Sequence, residues 1–470
     1  MRRPCGKSTL SLAQGREAQT LRGKKTKTYY PCPVAESTTV SLSDIETFKA
    51  KALAWANHFR VVCLLDSNNY PHKNYTSKEW VLAIDATEEI ACNENAFDAL
   101  KEFQAKANAT IFGFLSYDLK NEIENLESGN DDGLKFPELF FFKPRYVFEI
   151  SGDKLTVNRN YPETFELIER IRQQDTIHET QDLKHELQAR TSKETYLENI
   201  EKIRAQIEAG DFYELNYCNE FFAIDSEINP VETFLKLNEK GKAPFSCFFK
   251  IIDKFLLCAS PERFLKKEGT KLISQPIKGT IRKGNTSEEN ELLKTQLQND
   301  LKERAENIMI VDLVRNDLAR SSKAGSVNVE ELCEVYEFNS VNQMISTVVS
   351  EIKTLATALN RGTDVIDSIK NAFPMGSMTG APKIEVMKNI ERYEDFKRGL
   401  YSGSVGYITS DGNFDFNVVI RSILYNSSEK YVSVRVGGAI TYDSIAENEW
   451  NEILLKAKSM MEVLNAEIEN

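Results

Sequence analysis

The chain has 470 residues, of which 41% are hydrophobic and 28% are charged, as in an ordinary soluble globular protein. This length predicts two to four domains, or one large double-layered domain. No run of residues approaches the roughly 18 consecutive apolar residues that a membrane helix needs, which argues against a membrane protein. The net charge of −12 argues against a nucleic-acid-binding protein, because phosphate binding requires a basic surface.

The first 30 residues differ in charge from the rest of the chain. They contain eight basic residues and one acidic residue, so this segment carries +7 and the remainder carries −19. It has no apolar core of the kind that secretory signals contain. The alternatives are a disordered tail, a misassigned start and an organelle presequence, and the missing amphipathic stripe favours the first two.

Cysteine and histidine usage restricts the chemistry. None of the eight cysteines forms a C-x-x-C pair, so they are expected to be buried free thiols of a cytoplasmic protein. No histidine follows His185. Chemistry in the C-terminal part of the chain must therefore come from carboxylates, Lys, Arg, Tyr, Thr or a hard metal ion.

The N-terminal part reads as short strands with polar connections. Strands are predicted at residues 59–65, 80–84, 111–115 and 139–142. Residues 142–150 and 154–157 are expected to form a hairpin, because the turn-forming sequence Ser-Gly-Asp separates them.

From Thr191 onward, blocks of helix and strand alternate. Thr191 and Glu194 form a candidate capping box for a helix that Gly210 ends. The further helices are predicted at residues 287–298, 301–315 and 446–466. The strands are predicted at residues 212–224, 245–252, 255–259, 264–267, 404–409, 414–424 and 431–436. Such blocks favour an α+β architecture over a doubly wound parallel sheet.

Two acidic pairs have the spacing that places both carboxylates on one helical face. These are Glu303 with Glu306 and Glu449 with Glu452. Facing each other, the two helices could offer four carboxylates to a hard cation such as Mg²⁺. The structural alternatives are a capping box of Asp300 with Glu303 and a surface pair of Glu452 with Lys456.

Lys278 lies in an apolar run between Pro276 and Gly279. If this constrained position is desolvated, the pKa of the amine falls and the amine becomes nucleophilic. The alternative is a solvated lysine on a turn.

Arg421 and two glycine-rich segments could recognise an anion. Arg421 is a lone charge in an apolar strand, and a buried guanidinium needs an anionic partner. That partner could be a substrate carboxylate or, equally, a structural carboxylate. The segments Gly376–Lys383 and Val436–Ile440 allow a ligand to approach the backbone closely, and neither matches a nucleotide-binding fingerprint.

Several of these segments together resemble the chorismate-utilising enzymes, the family that contains anthranilate synthase component I and its relatives. The matching segments extend over about residues 191–460. They are Ser260-Pro261-Glu262-Arg263-Phe264, Pro276-Ile277-Lys278-Gly279-Thr280, residues 305–317, Thr379-Gly380-Ala381-Pro382-Lys383, and the block from Gly437 to Lys456.

The resemblance implies the fold of anthranilate synthase component I, with two large, mainly antiparallel sheets packed as a sandwich and helices outside. We accordingly predict three regions. Residues 1–30 form a basic tail, residues 31–190 form an N-terminal region that resembles the family loosely, and residues 191–465 form the chorismate-binding catalytic region.

The resemblance also implies roles for individual residues. Glu306 and Glu452 would bind Mg²⁺, with Glu303 and Glu449 beside them, and the ion would hold the ring carboxylate of chorismate. Arg421 and Tyr407 would bind the other carboxylate. The remaining substrate-binding residues implied by the family are Thr379 against the ring, the amides of Gly438 and Ala439, and Lys456 nearby.

Lys278 distinguishes branches of the family. Aminodeoxychorismate synthases carry Lys at this position, whereas anthranilate synthases usually carry Ala. The resemblance thus implies that Lys278 attacks the ring, that Glu262 protonates the departing hydroxyl, and that ammonia displaces the lysine, for para-aminobenzoate and folate biosynthesis. The alternatives are an anthranilate synthase component I, which also expels pyruvate, and a non-catalytic paralogue that binds chorismate-like ligands.

A partner protein is expected as well. Glutamine hydrolysis usually needs a nucleophilic Cys in a Gly-x-Cys-x-Gly motif, which occurs at none of the eight cysteines. Ammonia would therefore come from a separate glutamine amidotransferase subunit. Two positions depart from the family pattern: Gln343 replaces a frequent His, which puts its acid–base role in doubt, and Glu214 replaces a common Gln.

Overall fold

The computed structural model describes residues 37–70, 77–124, 126–158, 164–175, 184–339, 341–353 and 365–469. The predicted basic tail at residues 1–30 lies outside these ranges, as do Cys5 and Cys32. The six cysteines that are described are buried, as expected. No helix in the described part of the chain combines the length and the apolar character that a membrane crossing needs.

The helices are numbered along the chain. They are α1 (Ile45–Ala56), α2 (Ala96–Ala107), α3 (Lys120–Glu124), α4 (Thr164–Arg172), α5 (Lys193–Ala209), α6 (Pro230–Gly241), α7 (Ser287–Asn299), α8 (Leu301–Ser321), α9 (Val365–Ala372), α10 (Lys383–Tyr393) and α11 (Ala446–Val463).

The strands are numbered in the same way. They are β1 (Thr38–Ser41), β2 (Val61–Asp66), β3 (Trp80–Cys92), β4 (Ile111–Leu115), β5 (Leu139–Ser151), β6 (Lys154–Val157), β7 (His185–Ala189), β8 (Glu214–Ala223), β9 (Phe245–Ile251), β10 (Lys254–Ser260), β11 (Arg263–Glu268), β12 (Lys271–Gln275), β13 (Ile277–Arg282), β14 (Asn328–Glu337), β15 (Val341–Glu351), β16 (Gly380–Ala381), β17 (Ser404–Ile408), β18 (Phe414–Asn417), β19 (Ser422–Asn426), β20 (Tyr431–Ile440) and β21 (Ala466–Ile468).

The strands pair along one path that folds into two layers. The first layer runs β8–β20–β19–β10–β9–β2–β3, and the second runs β5–β4–β17–β18–β11–β12–β15, with β13 and β14 also on β15. The long strands β3 and β5 join the layers, because the first half of β3 pairs with β2, whereas the half of β5 that pairs with β4 lies opposite the second half of β3. Apart from the parallel β7–β21 pair, these ladders are antiparallel.

The alternation of side chains explains why the layers pack as a sandwich. On β9, Cys247 and Phe249 face the core between the layers, whereas Phe248 faces a second core beneath the outer helices. The ring of Phe249 lies 5.2 Å from that of Phe114 in the other layer. Ile200 of α5 and Ile453 of α11 fill the outer core. The predicted α+β sandwich with helices outside is confirmed.

Strands from both predicted regions share these layers. β2 pairs with β9, and β4 pairs with β17. The boundary between residues 190 and 191 therefore does not coincide with a break in the sheet, and the division of the chain into regions stays a prediction.

Two local predictions were wrong. The N-cap of α5 is Ser192, whose hydroxyl accepts the Thr195 N–H, whereas the Thr191 hydroxyl donates to Asp395 at 3.0 Å. The predicted strand at residues 414–424 is broken between β18 and β19, where Arg421 has a φ of 53°. The predicted end of α5 is confirmed, since Gly210 caps it with a φ of 86°.

Candidate active site

The amine of Lys278 lies against a buried carboxylate. Lys278 is the second residue of β13, and its Nζ donates to Glu214 Oε1 at 2.7 Å. The side chains are 11% and 1% exposed, respectively. Burial alone would lower the pKa of Lys278, but Glu214, Glu306 and Glu262 raise it above its ordinary value. The predicted low pKa is therefore not found, and the solvated-turn alternative does not hold either.

The position of Glu214 is set by the pairing of β8 with the short strand β16. Glu214 lies opposite Ala381, and the Tyr213 N–H donates to the Ala381 carbonyl at 2.8 Å. Gly380 has a φ of 141°, and a Cβ there would lie 2.0 Å from the Glu214 carbonyl oxygen. Only glycine permits this approach. The Thr379–Lys383 segment thus fixes the backbone that carries Glu214.

Glu262, in the turn between β10 and β11, is a second carboxylate whose charge acts on Lys278. Its Oε1 accepts from the Ser377 hydroxyl at 2.6 Å, and the side chain is buried. Burial raises the pKa of Glu262 to about 7, although Ser377, Lys278 and the Ile277 N–H lower it. A carboxyl group with this pKa can donate a proton near neutral pH.

The two acidic pairs lie on two separate helices. Glu303 and Glu306 belong to α8, and Glu449 and Glu452 belong to α11. Burial raises the pKa of Glu306 to about 7, and burial together with neighbouring carboxylates also raises the pKa values of Glu303 and Glu449. The pKa of Glu452 is lowered despite burial, because Lys456, Lys278 and Lys302 surround it. The charge of Glu452 raises the pKa of Glu303 on the other helix, and the convergence of the two pairs on one metal site stays a prediction.

These carboxylates are oxygen donors of the kind that Mg²⁺ prefers. Among the residues that the structure describes, no three His, Cys, Asp or Glu side chains are grouped closely enough to hold a metal ion. Lys302 lies among the carboxylates, 3.8 Å from Glu306. The donor set fits the chemistry of a hard cation, and Mg²⁺ binding stays a prediction.

Both structural alternatives for the acidic residues are also present. The Asp300 carboxylate caps α8 by accepting the Glu303 N–H at 3.0 Å. Lys456 pairs with Glu452 at 2.6 Å and donates to the Gly437 carbonyl at 2.8 Å. These contacts do not remove Glu303 and Glu452 from the site. The cap uses only the backbone N–H of Glu303, so its carboxylate stays available. The carboxylate of Glu452 still interacts electrostatically with Lys278.

The Gly438 backbone lies directly beside α11. A Cβ at Gly438 would be 3.4 Å from Glu449 Oε2 and 3.6 Å from Glu452 Oε1. The neighbouring Ala439 lies opposite Asn216 of β8. The glycine-rich strand β20 therefore carries both residues along the same side of the site as the α11 carboxylates.

Arg421 is half-buried at the break between β18 and β19. Its guanidinium has no hydrogen-bond or ion-pair partner among the described residues, so the structural salt bridge does not hold. Burial lowers the pKa of Arg421, and Tyr401 and Glu452 offset this only in part. A half-buried guanidinium without an anionic partner among the described residues is a candidate for binding a ligand carboxylate.

Tyr407 is not brought to Arg421. It lines a different cavity, and its ring lies 6.0 Å from that of Phe112. The tyrosine that influences the pKa of Arg421 is Tyr401, six residues before Tyr407. The other lining residues of the Tyr407 cavity include Asp66, Tyr70, Phe245, Arg263, Phe338 and Asp415.

Thr379 and Gln343 are buried near the same strands. The Thr379 hydroxyl donates to the Met375 and Gly376 carbonyls at 3.1 and 3.2 Å, so it supports the turn that precedes β16. Gln343 lies on β15 opposite Thr280 of β13, and its Oε1 has no partner within the described residues.

Sequence reasoning missed four residues that shape the site. Glu214 was noticed only as a departure from the family pattern. Ser377 lies in the Gly376–Lys383 segment, which was considered only because it lets a ligand approach the backbone. Tyr401 carried no signal. Asn307, in the motif at residues 305–317, is buried and donates to the Lys278 carbonyl at 3.4 Å and the Met344 carbonyl at 3.3 Å. Their contacts join elements that are far apart in the chain.

Comparisons with known proteins find a matching family and related sequences and structures. A family model described as chorismate binding enzyme matches residues 60–462. The aminodeoxychorismate synthase component 1 of Bacillus subtilis is 33% identical over 377 residues, which cover 75% of this chain and 76% of that protein.

A probable chloroplastic aminodeoxychorismate synthase of Oryza sativa is 38% identical over 281 residues, or 58% of this chain. The chain spans only 30% of the length of that plant protein. Among solved structures, anthranilate synthase component I of Streptococcus pneumoniae superposes with a TM-score of 0.68 at 27% identity, and the match covers 83% of this chain and 94% of that one.

Proposed function

The chain belongs to the family of chorismate-binding enzymes, and from this premise we propose that it converts chorismate and ammonia to 4-amino-4-deoxychorismate. The observation that carries the proposal is the buried Lys278 amine, which donates a hydrogen bond to Glu214 and lies within the electrostatic influence of Glu262. A lysine placed in this way can act as a nucleophile while an acid assists the leaving group.

In the proposed reaction, the Lys278 amine attacks C2 of the ring as the C4 hydroxyl leaves. Glu262 donates the proton that the hydroxyl needs to leave as water, and its pKa of about 7 suits this role. Ammonia then attacks C4 and displaces the lysine, so the enolpyruvyl group is retained. The unpartnered Arg421 guanidinium is the candidate to hold a substrate carboxylate.

Mg²⁺ is part of the proposal. The residues that would hold it are Glu306 and Glu452, with Glu303 and Glu449 beside them. When bound, the ion would neutralise the ring carboxylate of chorismate and stabilise negative charge that develops on it. The raised pKa values of Glu303, Glu306 and Glu449 support this assignment, because crowded buried carboxylates are relieved by a cation.

We further propose that ammonia is supplied by a separate glutamine amidotransferase subunit. Support comes from the designation "component 1" of the Bacillus subtilis relative, which implies a second component. The described cysteines are all buried, and burial raises the pKa values of Cys63 and Cys218, so neither thiol is activated for glutamine hydrolysis.

The test is a product analysis with the purified chain. Chorismate, Mg²⁺ and ammonium should yield aminodeoxychorismate without pyruvate, and glutamine should be inactive as the nitrogen source. Anthranilate together with pyruvate would instead indicate the anthranilate synthase reaction. Unchanged chorismate that nevertheless binds to the chain would indicate a non-catalytic paralogue.

A further inference from the structure

The contact between Glu214 and Lys278 is unusual for a purely structural ion pair. Glu214 Oε1 accepts from Lys278 Nζ at 2.7 Å, while Oε2 is buried and has no partner within the described residues. A buried carboxylate oxygen without a hydrogen bond is costly, and such groups are uncommon in folded proteins. This geometry leaves Glu214 with an oxygen that can accept a proton.

The backbone around Glu214 is rigid. β8 continues from Glu214 into a ladder with β20, and the opposite side of the residue is clamped by Gly380 and Ala381 of β16. The Asn216 N–H donates to the Thr379 carbonyl at 2.8 Å. The carboxylate is thus held against the amine by two neighbouring strands and not by a mobile loop.

The other charged groups around Lys278 determine its resting state. Lys278 is acted on by carboxylates from three further elements, and among the described acidic residues only Glu214 lies within ion-pair distance. The others are Glu262 in the β10–β11 turn, Glu303 and Glu306 on α8, and Glu452 on α11, and the nearby cation is Lys302. Surrounded by these carboxylates, Lys278 rests as an ammonium ion.

An ammonium ion cannot attack a carbon atom, so Lys278 must lose a proton before the proposed reaction begins. We propose that Glu214 is the base that takes this proton. The inference rests on the proposed function, because it has a role only if Lys278 is the nucleophile. Glu214 is the candidate by geometry, since a general base must lie within hydrogen-bond reach of the proton it removes.

Over one turnover, Lys278, Glu214 and Glu262 each return to their starting protonation state. In the first half, Nζ gives a proton to Glu214 and forms a bond to C2, while the C4–O bond breaks and Glu262 protonates the departing hydroxyl to give water. In the second half, ammonia bonds to C4 and the bond between Nζ and C2 breaks. Glu262 then takes one proton from the new C4 ammonium group, and the Lys278 amine recovers its proton from Glu214.

The same geometry suggests why Gln343 can be tolerated. An amide at position 343 cannot exchange protons, and its Oε1 has no partner within the described residues. With Glu214 bonded to the nucleophile, the site already contains a carboxylate for the acid–base step at Lys278. Only Glu262 and Glu214 are needed for the protons of the proposed cycle.

The test compares Glu214→Gln with the parent enzyme and with Glu208→Gln, a matched change at an exposed position of α5. The rate of formation of a covalent adduct on Lys278 is measured in single turnovers with chorismate and Mg²⁺ but no ammonia, across a range of pH. Chorismate binding is measured in parallel to confirm that the variant site is intact.

We expect Glu214→Gln to slow adduct formation about 100-fold near neutral pH, the scale of a lost general base. The difference from the parent should narrow as the pH rises, because solvent can then remove the proton from Lys278. Glu214→Asp should keep the parent's pH dependence at a lower rate. Glu208→Gln should match the parent.

Equal adduct rates and equal pH dependence in Glu214→Gln and the parent would overturn the role of Glu214 while leaving the proposed function in place. If Glu214→Gln does not fold, Glu214→Asp provides the test instead. A pH dependence of adduct formation in Glu214→Asp that differs from the parent's would likewise overturn the role of Glu214. Product formation by the parent with no adduct on Lys278 would instead overturn the lysine route, and the role of Glu214 with it.

Discussion

Two buried ion pairs in this chain are built in opposite ways. In the first, Arg398 and Glu394 are each 1% exposed and fully hydrogen-bonded. Glu394 accepts from the guanidinium at 2.6 and 2.8 Å and from the Cys218 N–H at 2.9 Å. The guanidinium also donates to the Asn216 and Met378 carbonyls at 2.7 and 2.6 Å.

The second pair, Lys278 with Glu214, is incompletely satisfied. One hydrogen bond joins the two side chains, and the second oxygen of Glu214 has no partner among the described residues. Both pairs contact β8, and they lie within a few residues of each other along that strand. In this comparison the fully hydrogen-bonded pair belongs to the scaffold, whereas the incompletely hydrogen-bonded pair is the one that the proposed reaction uses.

The largest effect is expected from removing the nucleophile. Lys278→Ala should lower ammonia-dependent product formation at least about 1,000-fold, because the covalent step itself is lost, while chorismate binding is largely retained. Product formation is measured with saturating ammonium, and the thermal midpoint is checked. The control is Lys271→Ala on the neighbouring strand β12, whose side chain is 41% exposed and pairs with Glu330. Full turnover by Lys278→Ala would exclude an obligatory lysine adduct.

Substitution in the Arg398–Glu394 pair should lower the stability of the fold and not affect the chemical step directly. Glu394→Gln leaves the buried Arg398 guanidinium without its counter-charge, which typically costs about 3–5 kcal/mol of unfolding free energy. Glu214→Gln should cost clearly less, since Lys278 retains Glu306 and Glu262 nearby. Denaturant unfolding of the two variants measures the difference. Equal losses of stability would contradict the distinction between the two pairs.

The unpartnered Arg421 should control substrate affinity. Arg421→Met removes a charged hydrogen-bond donor to the substrate, worth about 1.5–3 kcal/mol, so KM for chorismate should rise about tenfold to a hundredfold with a smaller change in kcat. The matched control is Arg315→Met on the exposed face of α8, where Arg315 pairs with Asp312 at 2.7 Å. An unchanged KM in Arg421→Met would remove this residue from the binding site.

Substitutions of the acidic residues on α8 and α11 should change the Mg²⁺ dependence of activity. Glu306→Gln and Glu452→Gln each remove one anionic donor, so the Mg²⁺ concentration for half-maximal activity should rise about tenfold and activity should partly recover at higher concentrations. Glu447→Gln is the control, because Glu447 is 57% exposed on α11 and pairs with Lys193. If both site variants keep the parent's Mg²⁺ dependence, these helices do not hold the ion.

The smallest effect concerns the pH dependence set by Glu262. As a general acid Glu262 must be protonated, so kcat should fall as the pH rises through about 7, the pKa of this carboxyl. The Ser377 hydroxyl stabilises the ionised form and lowers that pKa, so Ser377→Ala should move the fall in kcat to higher pH. A shift to lower pH, or none, would contradict the contact between Ser377 and Glu262.

Local patterns in the sequence predicted many of the strands, the helices α5, α7, α8 and α11 and the helical spacing of the acidic pairs, because these depend on residues close together in the chain, whereas β14, β15, α1, α2, α6 and α10 were missed. The Lys278–Glu214 contact could not be predicted, since it forms only when β8 and β13 are brought together across 64 residues. The positive φ of Arg421 was hidden within an apolar run that resembles a continuous strand. Likewise, Tyr401 lies in the turn before β17 and Tyr407 lies within that strand, and only the fold shows which of them influences the pKa of Arg421.

The central claim is that amination proceeds through a lysine-linked intermediate. The most direct measurement incubates the enzyme with chorismate and Mg²⁺ without ammonia and maps the modified peptide by mass spectrometry, followed by a chase with ammonium. The account predicts that the peptide carrying Lys278 gains the mass of chorismate less one water, and that ammonium removes it while releasing aminodeoxychorismate. Product formation at the parent rate with Lys278 unmodified throughout would contradict the claim.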